Sequence, residues 1–217
     1  MNANKKGDSE TRRKLLITSA DLFGKFGFDG VSVRKIASET KVNLSAIGYH
    51  FGTKEELYRA SIEYLIKNAL LELTPIMKKI DIAEKRDNND KQLWKNLLSD
   101  FLEKIIRIFC SDEQKIRFML YIREKLNPHE KTDIFSDELI KPIKNHMTLL
   151  IRKNTSVEIT SKQLHFKLFS VIGQLYLLLI SKNIVLAGLG YAEVTDEFIM
   201  MLKENYIKDI CSISHII

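Results

Sequence analysis

The segment SVRKIASETKVNLSAIGYHF, residues 32–51, decides the fold because it predicts two short helices joined by a tight turn. Ser32 is a natural N-cap for the first helix, and a short break at Lys41–Asn43 separates that helix from the second. One helix is expected to pack across the other through a small set of apolar residues, namely Val33, Ile36, Ala37, Val42, Ile47 and Phe51. Two short helices joined by a turn of about three residues are typical of a helix-turn-helix.

The other side chains of this segment are predicted to face outward, because the fold does not require them. They are Arg34, Lys35, Ser45, Ala46, Tyr49 and His50. A helix that begins with small polar residues can enter the major groove of DNA, which is roughly 12 Å wide. The second helix is therefore predicted to bind DNA.

Helical patterns continue on both sides of the segment. Apolar spacing predicts a helix from Arg12 to Phe26, after a frayed polar segment at residues 1–10. On the other side, Thr53 followed three residues later by Glu56 matches a capping box, which marks the start of a further helix.

Long helices are predicted for the rest of the chain. One runs from about Lys54 to Lys79, and Pro75 is expected to kink or end it. After a polar loop at Ala83–Gln92, further helices are predicted at about 92–110, 112–126, 134–153, 160–187 and 193–212. Since no stretch alternates apolar and polar residues as a strand does, the sequence predicts an all-α fold of about nine helices.

The charge of the chain is concentrated near its N-terminus. The formal net charge of the 217 residues is +6. Residues 1–60 contain 11 Lys and Arg against 7 Asp and Glu, whereas the remainder is nearly balanced, with 23 against 21. A basic N-terminal module is typical of a protein that binds a polyanion at one end.

Several functional classes are disfavoured by the sequence. Cys110 and Cys211 are isolated, which indicates reduced, packed thiols and no metal site. The chain lacks an apolar leader at its start, and the most apolar run, Leu168–Ile180, is too short to cross a bilayer, so a cytoplasmic protein is expected. No nucleophile elbow, phosphate loop, HExxH or paired carboxylates occur, and neither an enzyme nor a cofactor is predicted.

Residues 11–65 resemble the TetR/AcrR family of regulators. The matching parts, in order, are SADLFGKFGFDGVSV, IASETKVN and YHFGTKEELY. The last of these is especially similar to the CecR branch, and the body segments FMLYIREKLNP and FSDELIKPI are similar to the C-terminal domain of that branch. The resemblance implies a three-helix DNA-binding head at residues 9–69 and a helical ligand-binding and dimerisation body at residues 70–217.

The resemblance also implies roles for individual residues of the head. Arg34 is expected to reach a base edge or a phosphate, Asn43 to cap the recognition helix, and Lys54 to add a charge contact. Base contacts are expected from Leu44 and Ser45, and phosphate contacts from Tyr49 and His50. The full set of expected DNA-binding residues is Ser32, Arg34, Lys35, Asn43, Leu44, Ser45, Ala46, Gly48, Tyr49, His50 and Lys54.

Two residues of the head depart from the family pattern. Ala46 stands where many relatives carry Thr, and Gly48 where many carry Tyr or Asn. Each change removes a possible DNA contact, and Gly48 weakens a helix by roughly 1 kcal/mol relative to Ala. Gly48 also permits a closer approach of the backbone to DNA.

For the body, the resemblance implies an internal ligand pocket and a dimer interface made by the last two long helices. The expected pocket residues are Trp94, Arg117, Tyr121, His146, His165, Gln174 and Tyr176. Gln174 and Tyr176 lie within an apolar run, where a polar group needs a partner, so a ligand or a second chain is expected beside them. The expected interface residues are Leu175, Leu178, Leu179, Phe198 and Leu202.

Taken with the resemblance, these features favour a homodimeric repressor that binds double-stranded operator DNA and is released by a small-molecule effector. The first alternative is a DNA-binding co-regulator or architectural protein that needs no ligand. The second is a helical enzyme, for which Cys110 or His165 would be the catalytic residue.

Overall fold

The computed structural model describes residues 2–87, 89–126, 134–155 and 159–212. Over these ranges the chain forms nine α-helices and a π-helical turn, with no strand, which confirms the predicted all-α class. The helices are α1 Asn2–Phe26, α2 Val33–Thr40, α3 Leu44–Phe51, α4 Lys54–Lys85, α5 Lys91–Cys110, α6 Asp112–Leu126, α7 Lys141–Asn154, α8 Ser161–Gly188 and α9 Asp196–Cys211. The π-helical turn, Phe135–Ile140, leads directly into α7.

Two helices are longer than their sequence patterns predicted. Helix α1 begins at Asn2, so the segment predicted to be frayed is helical. Helix α4 continues through Pro75 to Lys85. Buried residues on both sides of the proline, among them Leu73 and Ile76, hold α4 against the core, so packing outweighs the local preference for a break.

The chain divides into two compact units. The head unit comprises Met1–Ala69 and Ile116–Leu139, and the body unit comprises Leu70–Lys115 and Ile140–Ile217. The head therefore contains most of α6 in addition to the N-terminal helices. Within the head, the Arg123 guanidinium donates to the carbonyl oxygens of Gly24 (2.9 Å) and Lys25 (2.8 Å) at the end of α1. The Tyr58 hydroxyl of α4 also donates to Glu124.

Helix α5 is the central element of the body unit. Its buried residues recur at helical spacing, as in Trp94, Leu98, Phe101 and Ile105, and they pack in one core with α7, α8 and α9. Ion pairs between α5 and α9 lie beside that core. The Glu103 carboxylate of α5, for example, lies 2.8 Å from Lys203 Nζ of α9.

Helix α8 combines a buried face with an unusually apolar outer face. It is long and apolar enough to cross a membrane by length and composition, a test that core helices of soluble proteins also pass. Only 28% of its most apolar window is buried, however. The outer face of α8 is therefore an apolar surface that the described residues leave uncovered.

Candidate nucleic-acid interface

The turn between α2 and α3 is fixed by caps at both ends. The Ser32 hydroxyl accepts a hydrogen bond from the Lys35 amide (3.2 Å) at the start of α2. Lys41 closes α2 in the left-handed conformation (φ 55°), and the Asn43 side chain then caps α3 by accepting from the Ser45 amide (3.1 Å). These local bonds hold the start of α3 at a fixed angle to α2.

Helix α3 has one face in the head core and another in solvent. Ile47 and Phe51 are buried, and Ile36 and Ala37 of α2 are buried with them. The predicted capping box is confirmed after α3, because Glu56 accepts from the Thr53 amide (2.9 Å) and Thr53 Oγ1 accepts from the Glu56 amide (3.1 Å).

The exposed side of α3 carries most of the residues predicted to meet DNA. Tyr49 is 79% exposed and Leu44 is 43% exposed. Asn43 and Ser45 are also exposed, and Ala46 is half-buried. A Cβ atom added at Gly48 would meet nothing within 4 Å, so the backbone itself is open to a ligand there.

His50 differs from the prediction that it faces outward. Its side chain is only 6% exposed, and its Nε2 lies 3.5 Å from Asp8 Oδ1 of α1. The imidazole also contacts the rings of Tyr49 and Phe51. His50 is turned inward because the N-terminal part of α1, which the sequence did not predict as helix, lies beside it.

Four basic residues lie on the segments that adjoin α3, which itself contains no Lys or Arg. Arg34 and Lys41 are exposed. Lys35 Nζ lies 3.6 Å from the centre of the Phe26 ring, and Lys54 Nζ lies 4.1 Å from that of Phe28, so an aromatic ring positions each charge. Lys41 was not among the predicted DNA-binding residues. Its position in the turn before α3 is the sequence feature that could have suggested it.

The described residues that were predicted to line a ligand pocket have different environments. Trp94 is buried in the body core, His165 and Gln174 are exposed on α8, and Tyr176 is half-buried beside Phe109. Tyr121 belongs to the head unit, where its ring meets Phe135 edge-on. The side chain of Arg117 lies outside the described residues.

His146, another predicted pocket residue, joins two helices of the body. Its Nε2 lies 3.0 Å from Asp81 Oδ1 of α4, and its Nδ1 lies 2.8 Å from the Pro142 carbonyl. Both neighbours are hydrogen-bond acceptors. These contacts link α7 to α4.

The two residues weighed as catalytic lack a catalytic arrangement. Burial raises the pKa of the Cys110 thiol from 9.0 to about 11, so the thiol is protonated and a poor nucleophile at neutral pH. His165 Nδ1 lies 2.7 Å from the Ser161 carbonyl of its own helix. Among the described residues, no three His, Cys, Asp or Glu side chains come together as a metal site.

The residues predicted for the dimer interface lie in the core of their own chain. Leu175, Leu178, Leu179, Phe198 and Leu202 are each at least 92% buried. The apolar residues of α8 that remain exposed lie on the opposite face, and they are Phe166, Phe169, Leu177, Ile180 and Ile184. Up to Ile180 their spacing of three to four residues, with Gly173 in the middle, aligns them along one face of the helix, and Ile184 follows beyond the non-helical Ser181. These five residues are called here the α8 stripe.

A capped helix-turn-helix, an exposed second helix and basic residues around it define a DNA-binding transcriptional regulator. Two family models match the chain. Residues 15–61 match the bacterial regulatory proteins of the tetR family, and residues 94–210 match the C-terminal domain of the HTH-type transcriptional dual regulator CecR. The chain therefore belongs to the TetR family and carries a CecR-type C-terminal domain.

Individual relatives agree with this assignment. The chain is 22% identical over 196 residues to the dual regulator CecR of Shigella flexneri, with 90% of this chain and 87% of that protein covered. It is 37% identical over 59 residues to a transcriptional repressor of Mycobacterium tuberculosis, with 27% of this chain and 31% of that protein covered. Both relatives are named as helix-turn-helix transcriptional regulators.

Solved structures of the family have the same fold. A TetR-family regulator from Mesorhizobium loti superposes with a TM-score of 0.56 at 13% identity, covering 94% of each chain. The regulator PfmR from Thermus thermophilus gives a TM-score of 0.54 at 15% identity, covering 90% of this chain and 92% of that one. Regulators of this family bind operator DNA and are typically dimers with small-molecule effectors.

Proposed function

We propose that this protein is a cytoplasmic homodimeric repressor that leaves its operator when a small molecule binds the body. Residues 9–69 contact DNA in this proposal, and residues 70–217 bind the ligand and the second chain. Among its relatives, the Mycobacterium tuberculosis protein is named a repressor and the Shigella flexneri protein a dual regulator. Repression is the simpler of these two modes, because a bound dimer blocks access to the promoter without a further partner.

The exposed face of α3 is the observation that carries the DNA-binding part. The capped N-terminus of α3 brings Leu44 and Ser45 to the base edges, where sequence is read. Tyr49, Arg34 and Lys54 flank it and contact phosphates, which set the register of the head on the duplex. The absence of a side chain at Gly48 lets the helix backbone approach the DNA closely.

The α8 stripe is the surface that supports a homodimer. The stripe consists of five large apolar side chains of α8, each more than half exposed. A glycine at the middle of this stripe lets a second helix approach closely, since a Cβ at Gly173 would meet nothing within 4 Å in the isolated chain. A second copy of α8 presents the same stripe, and an interface between identical faces is expected in a two-fold dimer.

Helix α6 supports a route from the body to the head. It begins at Asp112 among residues of the body unit and continues into the head unit. There Arg123 donates to two carbonyl groups at the end of α1. A ligand that binds more tightly when α6 is in one position than in another shifts the equilibrium between these positions. It thereby changes the fraction of dimers whose two heads can bind both half-sites.

Selection of bound sites from random DNA tests this proposal. The expected result is a two-fold symmetric site with half-sites about one helical turn, roughly 34 Å, apart. Ser45→Ala is expected to relax the base preference at one position of each half-site. Lys54→Ala is expected to weaken binding to all sequences and to lower the salt slope by about 1 per lost phosphate contact.

Lys67→Ala is the matched control, because Lys67 is an exposed lysine of α4 more than three turns beyond Lys54. It is expected to leave both affinity and salt slope unchanged. No enriched site, or equal effects of Lys54→Ala and Lys67→Ala, would show that α3 and its surroundings are not the interface.

A further inference from the structure

The N-terminal part of α1 lies alongside the C-terminal end of α3. Asp8 and Arg12, about one helical turn apart on α1, contact consecutive residues of α3. Asp8 Oδ1 lies 3.5 Å from Nε2 of His50, and the central carbon of the Arg12 guanidinium lies 5.2 Å from the centre of the Phe51 ring. These two contacts fix one face of α1 against the end of α3.

The Phe51 ring positions the charge of Arg12 without neutralising it. Arg12 is exposed, whereas Phe51 is buried in the head core. A guanidinium over an aromatic ring is attracted by the negative face of the ring, and its N–H donors stay available for other acceptors. Among the residues that the structure describes, no carboxylate forms an ion pair with Arg12.

The length of α3 relates this cation to the width of a DNA groove. A helix of eight residues is about 12 Å long, and the major groove of B-DNA is roughly 12 Å wide. In the function proposed above, the N-terminal end of α3 meets the base edges through Leu44 and Ser45. The other end, where Arg12 lies, then comes to the border of the groove, which is formed by phosphates.

We propose that Arg12 is a further DNA-binding residue, which contacts the phosphate backbone from α1 beside the C-terminal end of α3. This contact rests on the DNA-binding function proposed above, and it adds α1 to the helices of the interface. The guanidinium donates charge-assisted hydrogen bonds to phosphate oxygens. Because phosphates are alike at every base pair, Arg12 contributes to affinity and register but not to base preference.

Arg12→Gln tests the contact, because it removes the charge and keeps a polar side chain. The variant dimer is expected to bind the operator fragment from the selection described above about tenfold more weakly, since each head loses one phosphate contact. Its salt slope is expected to fall by about 1 per lost contact, and the bases enriched in a repeated selection are expected to stay the same.

Lys14→Gln is the matched control, because it removes the same charge two residues further along α1. Two residues correspond to a rotation of about 200° around a helix, so the exposed Lys14 lies on the side of α1 away from α3. This variant is expected to keep the affinity and salt slope of the wild type. Arg12→Lys restores the charge and is expected to recover most of the salt slope, and thermal unfolding of each variant shows that it is folded.

Operator duplexes in which one phosphate at a time is replaced by a neutral methylphosphonate locate the contact. With the wild type, we expect a replacement at the border of each half-site to weaken binding. With Arg12→Gln, the same replacement is expected to cause no further loss, because the two changes remove one interaction.

Two results would overturn the Arg12 contact and leave the α3 interface intact. One is equal binding by Arg12→Gln and Lys14→Gln. The other is a loss at every replaced phosphate that adds in full to the loss caused by Arg12→Gln. A protein that binds no DNA at all would instead overturn the function proposed above together with this contact.

Discussion

At the scale of single residues, Tyr49 and His50 are neighbours in α3 with opposite environments. The Tyr49 side chain is exposed to solvent, whereas the His50 side chain is buried beside α1. Tyr49→Ala is therefore expected to weaken DNA binding and to change the free energy of unfolding by less than about 0.5 kcal/mol. His50→Ala removes packing and is expected to destabilise the protein by about 1 kcal/mol.

Chemical denaturation and fluorescence anisotropy with a selected operator fragment measure the two effects separately. His50→Phe fills the same space without a ring nitrogen, and it is expected to recover most of the stability lost in His50→Ala. If His50→Ala unfolds like the wild type but loses DNA affinity, His50 contacts phosphate as the sequence first indicated.

Cys110 makes the stability of the protein depend on pH in the alkaline range. Its folded-state pKa of about 11 lies above the ordinary value of 9.0, so the folded protein retains the proton over this interval while the unfolded chain loses it. The contribution of Cys110 to the free energy of unfolding is therefore fully present below pH 9. It is lost as the pH rises towards 11, by at most about 2 to 3 kcal/mol. Cys110→Ala is expected to be less stable at neutral pH but to have a shallower alkaline slope.

Urea unfolding at a series of pH values measures this slope. The slope that remains in Cys110→Ala is attributed in part to Tyr206, because burial also raises the pKa of its phenol. An alkaline slope that is identical in the two proteins would show that the thiol does not titrate differently on folding.

At the scale of elements, the α8 stripe predicts which substitutions weaken the proposed dimer. Phe169→Glu places a carboxylate on the stripe, where Phe169 is 65% exposed in the isolated chain. We expect the dimer to weaken by about 2 kcal/mol or more, which is at least roughly 30-fold in its dissociation constant. Analytical ultracentrifugation over a range of protein concentrations measures the change.

Leu71→Glu is the matched control, because Leu71 is 60% exposed on α4 and lies off the stripe. It is expected to leave the dimer intact. Gly173→Leu adds apolar area but fills the space needed by a second helix, so it is also expected to weaken the dimer. A more stable dimer in Gly173→Leu would place the contact elsewhere.

The helices and caps of the head could be predicted because their signals are local. Ser32, Asn43 and the Thr53–Glu56 pair act within three residues of themselves, and the structure has each of these bonds. The inward position of His50 could not be predicted in the same way, because its partner Asp8 is 42 residues away in the sequence. Contacts between distant parts of the chain leave no periodic signal.

The body was harder to predict for a different reason. In Leu168–Ile180 nearly every residue is apolar, so the sequence offers no contrast between the face in the core and the face in solvent. Leu175 and Leu177 are alike in sequence, yet one is 3% exposed and the other 52%.

At the scale of the whole molecule, the proposed dimer has two heads that must bind two half-sites at once. Inserting five base pairs between the half-sites turns one of them to the opposite face of the duplex, since a helical turn is about 10.5 base pairs. The affinity of the wild-type dimer is then expected to fall towards that of a single half-site, because a linked second head no longer adds avidity. Its salt dependence is expected to fall as well, since fewer phosphates are neutralised.

Phe169→Glu provides the comparison within the same assay. As a monomer at assay concentration, it is expected to bind the normal and the lengthened operator with equal, weak affinity. If the wild type were equally indifferent to the insertion, each head would bind alone. The body would then have no means of controlling DNA binding through the relative placement of the heads.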